Sequence, residues 1–365
     1  MFRTWLPLAV LSLAVLAAPM IASAADAAKA EKAADAKAPA KPAAKPKAPD
    51  KPAEQTLPPG PALSDKGFCF ADTLGQYLDV YLDGRAVARY MYGNDTSTPE
   101  KSHSTYKPFL HVFDAAGKAA ITKGPGGFYT HHRGIFFGWQ KVTFDGRAYN
   151  LWEMSGGRQV HQKFIAQKAD ADSATFTSAV TWSVKDGPAI IEEERTFTFT
   201  RKAAPVLAQI DFSTVIKSVA GDLILDGNVE HGGIHYRSAN ELDKSKTQYC
   251  LPKDALPASL AGAGTDFVRM TISKVEAKDM PWAALAYVLD GKHYVVQQIN
   301  CPANANKGAE WSVYRDYGRF GTFFKKELPK GQTLGLKYRF VVMAGDKLPT
   351  RADLEKNAEE YAKAK

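Results

Sequence analysis

Tyr129 to Trp139 reads YTHHRGIFFGW, two adjacent histidines and an arginine directly ahead of a hydrophobic, aromatic run. An imidazole exchanges a proton near neutral pH, and a guanidinium grips an oxyanion or carboxylate with parallel N–H bonds. His131, His132 and Arg133 are therefore candidates for acid–base work and for steadying developing negative charge. On an extended segment neighbouring side chains point to opposite faces, so only one of the two histidines is expected to face a common cleft. The competing reading is a polar loop end whose side chains bond to the backbone.

A second island, VEHGGIHYR, supplies Glu230, His231, His235 and Arg237. Glu230 is a candidate carboxylate base set against an imidazole acid, with Glu153 and Asp316 as further carboxylates. A structural ion pair of Glu230 with Arg133 or Arg237 is the alternative. Gly232 and Gly233 argue against a helix, so His231 and His235 do not read as a helical zinc pair. In extended chain they lie about 13 Å apart, too far for one metal. A metal would need donors from other islands, with His131 or His132 and His161 the obvious ones. No residue is assigned as a metal ligand on sequence alone, and the cofactor is left open.

A third island, WSVYRDYGRFGTFF, holds Arg315, Asp316 and Tyr317. A tyrosine in a cleft can stack on a sugar ring or donate its hydroxyl, while an Arg–Asp pair can equally brace a sheet. His161 in GGRQVHQKF and Trp139 complete the candidate binding set, although a tryptophan beside such a run is also a common core residue. The expected site thus has His131, His132, Arg133, Glu230 and His231 in catalytic roles. His161, His235, Arg237, Arg315, Asp316, Tyr317 and Trp139 are expected to bind substrate. No Gly-rich phosphate loop and no G-x-S-x-G elbow is present, which disfavours nucleotide and serine-hydrolase chemistry.

The elements that must position these islands are strands. Asp-Gly pairs stand at positions 83–84, 145–146, 186–187, 226–227 and 290–291, most of them flanked by alternating runs. Asp-Gly suits the two positive φ values of a hairpin turn. Thr196, Thr198 and Thr200 should face one way and Arg195, Phe197 and Phe199 the other. The punctuation predicts an all-β domain over 64–346, a large antiparallel two-sheet β-sandwich. Thr350 with Asp353 is a capping-box start for a C-terminal helix, with 347–365 as its segment and Arg351 to Lys363 helical.

The N-terminus predicts export. Arg3, an apolar run from Trp5 to Ala18 and Ala22-Ser23-Ala24 make residues 1–24 a signal peptide, so the expected location is periplasmic or secreted. Residues 25–63 are an Ala/Lys/Pro-rich tether, too poor in large apolar side chains to offset the entropy of ordering. Its seven lysines against five acids leave most of the +8 net charge elsewhere. The balance is mildly basic, which does not call for nucleic acid and leaves the tether free to touch an anionic cell-wall polymer. No later stretch reads as a membrane span. Three scattered cysteines lack metal spacing, and no essential disulfide is expected.

YKPFLHVFD, THHRGIFFGW, GGRQVH, EHGGIHYR, WSVYRDYGRFGTFF and GQTLGLKYRFVVMAG follow one another between Tyr77 and Gly345. In this series the chain resembles an exported bacterial family that carries the label "methane oxygenase PmoA". The resemblance implies a β-supersandwich similar to that of galactose mutarotases. It thereby implies a carbohydrate-active protein with a sugar or polysaccharide ligand, working by epimerisation, elimination or hydrolysis. A non-catalytic glycan-binding module and a metal-dependent oxidoreductase or hydrolase are the alternatives.

Overall fold

The computed structural model describes residues 66–260, 262–314 and 316–364. The expected leader, the expected tether and Arg315 lie outside the described residues.

The first strands in the chain are β1 (Phe68–Thr73), β2 (Tyr77–Leu82), β3 (Arg85–Met91), β4 (Phe109–Val112), β5 (Ile135–Phe144) and β6 (Arg147–Leu151). Next come β7 (Gly157–Ala169), β8 (Ser173–Val184), β9 (Ala189–Thr200), β10 (Val206–Ser218), β11 (Leu223–Asp226) and β12 (Gly232–Arg237). The last are β13 (Gln248–Cys250), β14 (Trp282–Leu289), β15 (Lys292–Asn300), β16 (Glu310–Tyr314), β17 (Arg319–Phe323), β18 (Lys326–Leu328) and β19 (Thr333–Ala344). They form two antiparallel sheets. An 11-stranded sheet runs β1-β2-β3-β4-β5-β12-β17-β16, with β6, β11 and β18 off this path, and an 8-stranded sheet runs β13-β14-β15-β19-β10-β9-β8-β7. The all-β, two-sheet expectation is met.

Period-two patterning explains the strands. Along β8 every second residue is buried, and in β9 Arg195, Phe197 and Phe199 point inward while Thr196, Thr198 and Thr200 do not. The facing surfaces interlock through aromatic pairs: Tyr90 with Phe176 at 5.1 Å, Phe137 with Trp182 at 5.8 Å, and Phe137 with Phe212 at 5.7 Å. Each such side chain removed from water contributes about 1.5–3 kcal/mol. Trp139 belongs to this core. It is fully buried, and its indole N–H donates to the Phe324 carbonyl at 3.0 Å, so it is no platform for a sugar.

Three Asp-Gly pairs form tight turns with both φ positive, joining β2 to β3, β5 to β6 and β14 to β15. The other two differ. At Asp186-Gly187 only the aspartate has a positive φ. Asp226-Gly227 makes no hairpin: β11 pairs with β5 and β18, and the chain after it becomes the His231 loop.

Among the described residues two α-helices flank the sheets. Helix α1 (Pro99–Ser104), which the sequence reading did not anticipate, is capped by Thr98. Helix α2 (Arg351–Lys363) starts with the expected capping box of Thr350 and Asp353. Its stripe of Leu354, Ala358 and Tyr361 packs on Trp282, Val295 and Val341 of the 8-stranded sheet. All three cysteines are free thiols. Among the described residues no helix is long and apolar enough to cross a membrane.

Candidate functional site

The site lies on the face of the 11-stranded sheet that turns away from the sandwich core. Ile135, Phe137, Ile234, Tyr236, Trp311, Val313 and Phe320 enter the core. Strand alternation therefore turns Phe136, His235, Arg237, Ser312 and Arg319 to the opposite face. Phe136, His235, Gly321 and Ser312 stand in one cross-strand row. A Cβ at Gly321 would run into the His235 ring, so this glycine lets the imidazole lie across the sheet. Arg319 then donates to His235 Nδ1 at 3.1 Å and to Ser312 Oγ at 2.8 Å. A guanidinium only donates, so Nδ1 accepts and the ring proton sits on Nε2. That Nε2 is buried and has no hydrogen-bond partner among the described residues.

A second layer covers this face. Tyr129 takes a left-handed φ of 52°, and the His132 N–H donates back to the Tyr129 carbonyl at 2.8 Å. The chain is turned here, not extended, which corrects the expectation that the two imidazoles diverge. Their rings pack edge to face at 4.4 Å. His132 is buried and stacks on Tyr129 at 5.3 Å, and Tyr129 lies 4.9 Å from the Tyr317 ring. His131 reaches the other way, with its ring 5.9 Å from His231 and Nε2 at 3.9 Å from Glu153 Oε1.

The carboxylate that meets the histidines is therefore Glu153, not Glu230. The Glu230 carbonyl accepts from Arg319 at 3.3 Å, while its carboxylate makes no ion pair or hydrogen bond among the described residues. Glu153 is delivered by the turn after β6, where Asn150 Oδ1 accepts its N–H at 2.8 Å and Asn150 Nδ2 donates to its Oε2 at 3.3 Å. The next residue, Met154, is left-handed at φ 63°, a conformation that costs a non-glycine residue about 1–3 kcal/mol. His231 is oriented by Asn228, whose Oδ1 lies 3.0 Å from Nδ1 and also accepts the Glu230 N–H at 2.9 Å. Donation from Nδ1 leaves the lone pair on His231 Nε2. One donor atom each from His131, Glu153 and His231 lies within 4.8 Å of the others, so this triad is the set that could hold a metal.

Cationic side chains lie around His131 and His132. Lys107 is buried, donates to the Trp152 carbonyl at 2.5 Å and sits 4.3 Å from the Phe136 ring centre. Lys123 donates to the carbonyls of Gly124, Gly126 and His132. Arg133 is fully buried and spends its guanidinium on the carbonyls of Thr130, His132 and His103. It ties its loop to α1, where the sequence suggested a clamp for substrate. Arg237 donates to the Ser238 and Tyr317 carbonyls and lies 4.5 Å over the Tyr317 ring. None of these four forms an ion pair among the described residues.

Burial sets the proton states. It holds Lys107 well below the usual ammonium range, brings Lys123 down to about 7 and lowers Arg237 to about 10. Burial, reinforced by neighbouring cations, pushes His131 down to about 3 and His231 to about 4, with His132 and His235 held low as well. Four neutral imidazoles thus stand close together beside buried cationic side chains at neutral pH.

Other expected members lie elsewhere. His161 is on β7 in the other sheet, with Nδ1 at 2.6 Å from Ser178 Oγ and its ring against Tyr92 and Phe164, both at 4.5 Å. Its strand faces another part of the sandwich, so it does not join the triad. The Asp316 carbonyl accepts from Thr247 Oγ1 at 2.7 Å, and its carboxylate forms no ion pair among the described residues. The sequence reading passed over Lys107, Lys123, Arg319 and Asn228. Lys107 stands in YKPFLHV among apolar residues, and Arg319 closes the RDYGR island, so both had a local signal.

A comparison with curated proteins finds no match. Among solved structures, the heparan sulfate lyase HepC from Pedobacter heparinus aligns at 11% identity over 75% of this chain and 36% of the lyase, with a TM-score of 0.34. A galactose mutarotase related enzyme from Lactobacillus acidophilus aligns at 9% identity over 78% of this chain and 99% of its own, with a TM-score of 0.31. A glycoside hydrolase family 97 enzyme from Pseudoalteromonas sp. strain K8 aligns at 11% identity over 77% of this chain and 34% of its own, with a TM-score of 0.29. At these scores the likeness assigns neither substrate nor reaction. Residues 77–359 match the model of a family of unknown function whose description names no activity, and the chain belongs to that family, DUF6807.

Proposed function

We propose that this protein is a carbohydrate-active enzyme that carries out acid–base chemistry on an acidic saccharide at the His131–Glu153–His231 triad. The observation that carries the reading is the charge around the triad. Arg133 and Arg237, and Lys123 in part, bring positive charge to neutral imidazoles, and none of them forms an ion pair among the described residues. In a site of low dielectric, charge of one sign favours a ligand of the other. A sugar carboxylate or sulfate supplies it. Phe128 at 73% and Tyr129 at 43% exposure offer aromatic faces at the rim on which a sugar ring can stack. The saccharide class itself follows the sequence resemblance. Proton removal beside a sugar carboxylate is the step such a site favours, because the cations stabilise the charge that develops on the carboxylate oxygens.

The test is a binding and turnover panel of uronic-acid and sulfated oligosaccharides against neutral ones of equal length. We expect at least tenfold tighter binding of acidic chains, weakening as salt is raised. His131→Gln should abolish turnover with little change in melting temperature. Equal affinity for neutral and acidic chains would sink the reading.

A further inference from the structure

We infer that His131, Glu153 and His231 form a binding site for one divalent transition-metal ion, of which zinc is the representative. The inference deepens the proposed site and shares its residues. It rests on how the three side chains are held.

The donor atoms come from three separate loops and converge within 4.8 Å of one another. Two imidazoles and a carboxylate are the donor set that leaves a zinc ion one open position for water or substrate. With bonds of about 2.0–2.2 Å, donors around a tetrahedral ion stand ~3.3 Å apart, so closure asks for a movement of roughly 1.5 Å at most. Glu153 has the freedom to make it, since its side chain is 36% exposed.

Each donor is also oriented from behind. Asn228 accepts from His231 Nδ1 and so frees Nε2. Asn150 holds Glu153 through Oε2 and through its N–H, which leaves Oε1 toward His131. His131 Nε2 is itself buried, without a hydrogen-bond partner among the described residues, and faces that Oε1 at 3.9 Å. A buried ring nitrogen aimed at a carboxylate without bonding to it is what a metal between them would require. Outer partners that fix the tautomer and carboxylate orientation are a regular feature of metal sites.

The neighbouring cations count against a metal, and one feature reduces their effect. The Arg133 and Arg237 guanidiniums lie against backbone carbonyls that absorb part of their field. An ion flanked by arginines, in turn, adds to the attraction for an anionic ligand.

Tag-free full-length protein, stripped with chelator, is titrated calorimetrically with zinc chloride and spectroscopically with cobalt chloride. We expect one equivalent to bind with a micromolar or lower Kd. Cobalt should show the strong visible absorption of a four-coordinate nitrogen and oxygen site. Glu153→Gln and His231→Gln should each weaken binding at least tenfold, Asn228→Ala about tenfold as a positioning residue, and His161→Gln should not change it. Absence of saturable binding up to millimolar metal overturns the inference. So does a Kd that Glu153→Gln and His231→Gln leave unchanged, or an equal loss in His161→Gln. Saccharide preference is measured on the same stripped protein. Preference for acidic chains without metal binding rejects this inference alone, and metal binding without that preference rejects the functional reading alone.

Discussion

His111 and His161 stand apart from the triad, and both are held neutral by burial. His111, bonded through Nδ1 to Thr122 Oγ1 at 2.9 Å, is pushed down to about 3, and His161 is pushed to about 4. In the unfolded chain both return to about 6.5. As pH falls below 6.5 the unfolded state takes up protons first, so their contribution to stability is full above 6.5 and declines as the pH approaches 4. We expect the melting temperature to fall steadily from pH 6.5 to 4.5, on top of the loss that Lys123, brought down to about 7 in the fold, already causes between pH 8 and 7. His161→Gln should make that decline shallower. A melting temperature unchanged between pH 7 and 5 would contradict the buried neutral state. At the same scale, the triad shows how a carboxylate nearby need not raise an imidazole's proton affinity. Lost hydration, reinforced by Lys107, Arg133 and Lys123, outweighs one partly exposed Glu153 at 3.9 Å.

Strand β12 is the element on which the site depends, because it places Tyr236 in the core and His235 on the site face one residue apart. It can lie between β5 and β17 only because of Gly233. That residue has φ +78°, and a Cβ on it would run into the Thr322 carbonyl of β17. Gly233→Ala combines a left-handed backbone with a backbone clash, so we expect a loss of more than about 2 kcal/mol in urea denaturation. The near-ultraviolet circular dichroism should change too, since the His235 ring packs on Trp152 at 4.7 Å. Unaltered stability would mean that β12 can shift its register, and with it the site.

Across the whole molecule, a buried polar network joins the two sheets. Glu193 on β9 accepts from Arg195 through both oxygens at 2.8 Å, from Thr214 Oγ1 at 2.8 Å and from Trp182 Nε1 at 2.7 Å. Arg195 continues to Gln159 Oε1 at 3.0 Å and to the Pro108 carbonyl at 3.2 Å. Gln159 Nε2 then donates to the Phe137 carbonyl of β5 at 2.9 Å. The chain of bonds thus crosses from the 8-stranded to the 11-stranded sheet. Glu193→Gln leaves the Arg195 charge buried and unpaired, which should cost about 3–5 kcal/mol. Replacing both partners by Leu and Met should cost less than either single change. Urea melts followed by tryptophan fluorescence measure this, and a single-variant loss under about 1 kcal/mol would show that the network carries little of the sheet-to-sheet attachment.

What the sequence determined by itself is local. The alternation of β8 and β9, three Asp-Gly turns, the α2 capping box and the richness of the His, Glu and Arg islands all arise from interactions between residues a few positions apart. Those terms depend on backbone geometry that a short stretch carries in its own side chains. Only the tertiary structure decided which island meets which. Register among β5, β12 and β17 sent Trp139 into the core and His235 to the other face. A turn at Tyr129 brought His131 and His132 together, and the turn after β6 made Glu153 the partner in place of Glu230. The same packing left His161 on the opposite sheet and closed Arg133 with backbone carbonyls. Contacts between distant segments are set by how whole sheets align their apolar faces. That alignment is a property of the assembled core, and no single motif contains it.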